Sequence, residues 1–181
     1  MGIYLLSANT HDSGTPAVIE ITSGLTATYN EYQFHIVNLH PATNNVNLTF
    51  QVNSGYDAPM VTTTFRAYLN ESGSGGTFTY DSGSDQPSSG GDGEDFQRIL
   101  STGTGNDNDQ SVSGILTLYA PASTVYVKHF IAEGNGYDHG DWTVNSHTSG
   151  YINTTDAITQ IKFMFDSGNI DAGTIYMYGV G

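Results

Sequence analysis

The sequence predicts an all-β protein: a single-domain antiparallel β-sandwich of jelly-roll type over residues 1–181, with about ten to twelve strands. Three observations predict it. β-branched and aromatic residues are common, whereas helix-favouring residues are scarce, with only four Lys and Arg in 181 positions. Apolar residues alternate with polar ones in several segments, the mark of a strand with one buried face. Clusters of Gly, Asn, Asp, Ser and Pro return about every 8 to 12 residues, and no stretch carries the apolar period of an amphipathic helix. No repeat of fixed period is visible, which argues against a propeller or β-helix.

Taken in order, Ile3 to Ala8 and Val18 to Thr22 are short apolar strands, the second closed by Ser23-Gly24. Glu31 to His40 sets Tyr32, Phe34 and Ile36 on one face and Gln33, His35 and Val37 on the other. Val46 to Val52 places Val46, Leu48, Phe50 and Val52 inward and Asn47, Thr49 and Gln51 outward; with the turn Pro41 to Asn45 between them, these two strands read as a hairpin. Val61 to Leu69 is a threonine-rich strand, Asn70 to Gly76 a turn, and Thr77 to Tyr80 a short return strand. The acidic, glycine-rich run Asp81 to Asp95 is a long loop inside the strand succession, not a linker. Phe96 to Leu100 is a weak strand or helical turn, and Gly103 to Asp109 a polar loop. Val112 to Tyr119 and Val125 to Glu133 form a hairpin across Pro121-Ala122-Ser123, followed by a loop from Gly134 to Asp141. Trp142 to Ser146 and Tyr151 to Asn153 are two short strands. Ile158 to Phe165 and Thr174 to Val180 close the fold; in the last, Ile175, Met177 and Gly179 oppose Thr174, Tyr176 and Tyr178.

The formal charge is −14. Such a chain repels a phosphate backbone and an anionic membrane surface, so neither nucleic acid nor membrane is an expected partner. Cysteine is absent, which removes disulfides and thiolate chemistry. The opening Met1 to Leu6 lacks the basic region and long apolar core of a signal peptide, so synthesis in the cytoplasm is expected.

No nucleophile elbow or phosphate-binding loop occurs, and the expectation is a protein without catalytic residues or resident cofactor. The densest chemical cluster is Tyr137 to Trp142, where Asp138, His139 and Asp141 would need His129, His147 or Asp156 from elsewhere to hold a metal; the competing reading is a polar loop anchored by a half-buried Trp142. Calcium is conceivable at Asp81, Asp85, Asp92, Glu94 and Asp95, or at Asn106, Asp107 and Asp109, against the simpler reading of solvated charge. Twelve tyrosines exceed what a sandwich core uses. Tyr137, Trp142, Tyr176 and Tyr178 are therefore candidates for an interaction surface, for subunit contact or for stacking on sugar rings.

The segment Ser167 to Gly179 reads SGNI-DA-GTI-YM-YG, and it resembles the ending of many small structural proteins of tailed phages, frequent in phages of marine bacteria. The similarity extends to Tyr29 to Gly55, Thr62 to Tyr68, Val127 to Tyr137 and Gly150 to Gly179. These are strand-and-turn phrases without catalytic signature. The resemblance implies a virion structural protein on the particle surface, with an outer capsid decoration (cement) protein as the first expectation. Its expected partners are itself, as a homotrimer, and the major capsid protein or other virion proteins. The alternative is a tail, baseplate or fibre receptor-binding module that contacts a host-surface glycan.

Overall fold

The computed structural model describes residues 2–11, 17–53, 55–87 and 96–181, the side chain of His11 excepted. Its strands are β1 (Ile3–His11), β2 (Val18–Ile21), β3 (Glu31–Pro41), β4 (Leu48–Val52), β5 (Met60–Asn70), β6 (Thr77–Tyr80), β7 (Gln97–Arg98), β8 (Val112–Tyr119), β9 (Lys128–Tyr137), β10 (Trp142–Ile152), β11 (Ile161–Phe165) and β12 (Ile170–Val180). The single helical turn among the described residues is the 3-10 segment Ser82–Ser84. No helix among them is long and apolar enough to cross a membrane.

Two antiparallel sheets pack together as a β-sandwich. The large sheet has eight strands in the order β1-β12-β3-β8-β9-β10-β5-β6, and the small sheet four in the order β2-β11-β4-β7. A jelly roll would divide two Greek keys between the sheets. Here β8, β9 and β10 run as a consecutive meander within one sheet, so the sandwich stands and jelly-roll topology is not confirmed.

The alternation read from the sequence sets the core. Tyr32, Phe34 and Ile36 of β3 are buried, as are Leu48, Phe50 and Val52 of β4 and Phe163 and Phe165 of β11. Aromatic rings join the two sheets: Phe34 lies 5.5 Å from Phe163, and Phe50 meets Phe130 edge-on at 5.1 Å. Interdigitation of this kind accounts for a core that holds without disulfides. The buried Tyr32 satisfies its hydroxyl by donating to the Thr26 carbonyl at 2.9 Å and accepting from the Thr26 N–H at 3.0 Å, which ties the β2–β3 loop to the core.

Four local expectations are corrected. β3 and β4 do not form a hairpin: β3 pairs with β12 and β8 in the large sheet, β4 with β11 and β7 in the small one. Asn45, at a φ of 60°, lies in the connection that carries the chain across the sandwich. Thr49 and Gln51, expected to face solvent, are buried; Thr49 donates to the Met164 carbonyl at 2.9 Å and Gln51 to that of Ala58 at 3.1 Å. The loop expected from Gly134 begins only after Tyr137, because Gly134-Asn135-Gly136 continues β9. A Cβ at Gly134 would stand 2.8 Å from the Ile99 carbonyl and one at Gly136 would collide with Leu100, so glycine here admits a segment crossing the sheet, not a turn. Finally, Trp142 to Ile152 is one continuous strand whose inner hydroxyls pair: Ser146 with Ser101 at 2.9 Å and Thr148 with Thr64 at 3.0 Å.

Candidate interaction surface

Directly paired residues of neighbouring strands share a sheet face. Reading the register across the large sheet from Tyr176 gives one row: Tyr176, His35, Ile115, Glu133, His147, Phe65 and Tyr80, on seven successive strands. The next row, starting at Leu5 of β1, runs through Tyr178, Gln33, Thr117, Ile131, Ser149 and Thr63. All face away from the small sheet. Aromatic contacts knit the surface: Tyr176 with Tyr178 at 6.4 Å, His35 with Tyr178 at 4.7 Å, His147 stacked on Phe65 at 4.9 Å, and Phe65 with Phe78 at 5.3 Å.

This face is apolar to an extent unusual for a solvated sheet. Phe78 is 70% exposed, Tyr80 61% and Leu5 57%, and Val37, Phe65, Leu69, Ile115, Tyr119 and Ile131 are exposed as well. An antiparallel sheet facing water normally alternates apolar inside with polar outside. Among the described residues, none of the four cations occupies an outward position in these rows or their neighbours, and the carboxylates there are Glu31 and Glu133, with Glu71 at one end beside Tyr137. Arg66 instead reaches inward to the Ser101 carbonyl at 2.5 Å, Lys128 is fully buried and donates to the Thr154 carbonyl, and Lys162 pairs with Glu20 at 2.7 Å on the small sheet. Burial holds the Lys128 amine below its ordinary pKa, and nearby Asp156 partly opposes the shift. Burial likewise lowers His35, whose Nε2 lies 3.0 Å from Gln33 Oε1.

Of the residues singled out from the sequence, Tyr176 and Tyr178 stand side by side on this face. Tyr137 shares the face but lies three strands away, where its hydroxyl donates to Glu71 at 2.7 Å; that carboxylate raises its pKa well above the usual range. Trp142 belongs to the opposite face, half-buried and edge-on to Tyr68 at 5.5 Å. Sequence reasoning missed Phe65, Phe78, Tyr80, Ile115 and Ile131. The missed signal was apolar residues at both alternating sets of positions in β5, β8 and β9.

Asp138 is a turn-former. Its Oδ1 accepts from the N–H groups of Gly140 at 2.8 Å and Trp142 at 3.1 Å, and its Oδ2 from Thr102 at 3.2 Å. His129 packs on Tyr151 and His147 on Phe65, away from His139. No group of three metal-ligating side chains forms among the described residues. Of the acidic loop, Asp81 accepts from Ser84 and Asp85 from the Thr64 N–H and the Tyr80 hydroxyl; Asp92, Glu94 and Asp95 lie outside the described residues. His40 bridges Asp171 at 2.6 Å and the Asp107 carbonyl at 3.1 Å, a link between β3, β12 and the polar loop.

A second feature sits at one end of the same face. A groove of about 480 Å³ is lined by Asn38, Asn70, Glu71, Asn135 and Tyr137 among others. Its walls are neutral hydrogen-bonding groups with one carboxylate. Compared with protein-family models, with curated proteins and with solved structures, the chain finds no match.

Proposed function

We propose that this chain is a structural component of a phage particle that works by surface contact, as an outer capsid decoration protein that stabilises the shell. Its partners are copies of itself and the major capsid protein beneath, and its place is the virion surface. The observation that carries the reading is the outer face of the large sheet, broad, aromatic and nearly free of charge. Interface cores are depleted of charged residues and enriched in Tyr, Phe and Trp, and a protein that acts by covering area needs such a face more than a pocket. The resemblance of Ser167 to Gly179 and the neighbouring phrases supplies the particle.

Copy number in purified particles tests it. A decoration protein is present in hundreds of copies, and particles lacking it break at lower temperature or lower osmotic stress. A handful of copies per particle, or intact shell strength without it, overturns the reading. The groove beside Asn38 and Asn135 favours a second reading, a receptor-binding module for a neutral glycan, because uncharged amides and a tyrosine suit sugar hydroxyls. That module predicts few copies and loss of adsorption on its removal.

A further inference from the structure

We infer that the outer face of the large sheet is the seat of a second copy of this chain, stacked face to face about a two-fold axis. The inference rests on the reading of this face as a contact surface and names its occupant.

Area is the first argument. Between β12 and β6 the face spans seven strands of about four outward residues each, about 30 Å by 25 Å at ordinary strand and residue spacings. That is about 750 Å², close to the about 800 Å² per partner of a stable interface. Val37, Phe65, Leu69, Phe78, Ile115 and Ile131 are exposed across it among polar side chains, and a solvated monomer rarely gathers so many apolar groups on one open face.

Charge selects the occupant. Two copies at −14 each repel wherever their acidic loops meet. Of the described carboxylates, Glu31 and Glu133 stand in its strand rows, and Glu71 lies at one end, hydrogen-bonded to Tyr137. Across its rows two such bodies meet over a large area with few like charges opposed. A differently charged partner would be steered by complementary potential, and this face offers almost none. In a stacked pair, Glu133 has histidines as its nearest titratable neighbours: His147 beside it in register and His35 two strands away.

Geometry selects the symmetry. A sheet face that contacts the identical face makes an isologous contact, and an isologous contact closes at two subunits. Sheets of like twist stack aligned about 10 Å apart, adding a third and fourth layer to the sandwich. The assembly is therefore a pair or a set of pairs, in place of the homotrimer that the family resemblance implies.

Light scattering on the purified full chain tests this without any particle, so its outcome is independent of the copy-number experiment. The expected mass is 2 × 19.4 = 38.8 kDa. Ile115→Asp, next to the centre of the row, should weaken the pair by about tenfold or more. Phe78→Ser, at the most exposed ring of the face, should weaken it in the same direction, and decides the matter if Ile115→Asp does not fold. A monomer at the highest soluble concentration, a trimer, or a dimer that ignores both substitutions overturns the inference; the last would point to pairing through the free edge of β1.

Discussion

His35 shows how a single residue on the outer face couples stability to pH. Burial between Tyr178 and its strand neighbours disfavours the imidazolium, so its folded pKa lies below the ordinary 6.5. In the unfolded chain the ring takes a proton first as pH falls. The unfolded state therefore binds more protons in the window from 6.5 down to the folded pKa, and stability rises with pH across it. The contribution is complete above 6.5 and is lost as pH falls through that window. His35→Gln should flatten this part of the profile of melting temperature against pH between about 5 and 7. An unchanged slope would mean that other groups set it.

At the scale of elements, the turn from Asp138 to Trp142 depends on one carboxylate that caps two backbone N–H groups and receives one hydroxyl. Asp138→Ala leaves those donors without their partner and should cost about 1–3 kcal/mol, read as a lower denaturant midpoint. Asp138→Asn keeps an acceptor oxygen and should cost less; equal losses would show that packing, not capping, holds the turn. The sequence made this turn visible through its residue types and through Trp142 as its anchor. It made the strands visible too, because alternation such as Val46 to Val52 follows from burial on one face. Pairing was less legible. The loop after Pro41 has the composition of a hairpin turn, yet the same Asn-rich composition serves a crossing between sheets, since both need only positive φ and hydrogen bonding. Nor could alternation tell that the polar face of β4 is covered. Gln51 and Thr49 find their carbonyl partners only after Ala58 and Met164 are brought beside them by distant chain. Gly134 and Gly136 misled for a related reason: glycine marks a turn locally, but here it marks the close approach of Ile99 and Leu100.

Over the whole molecule, the scarcity of cations and their placement have a consequence for digestion. Trypsin cuts only after Lys or Arg, and this chain offers four such residues, Arg66, Arg98, Lys128 and Lys162. They fall in β5, β7, β9 and β11, each within a hydrogen-bonded strand. A protease needs an extended segment released from its neighbours, so tryptic cleavage requires a strand to detach, with the short β7 around Arg98 the least protected. The folded protein should outlast trypsin under conditions where a protease of broad specificity cuts the exposed turn within Asn70 to Gly76, and tryptic cleavage should rise only with denaturant levels that open the sheets. Early tryptic fragments in native buffer would reveal a strand that detaches alone.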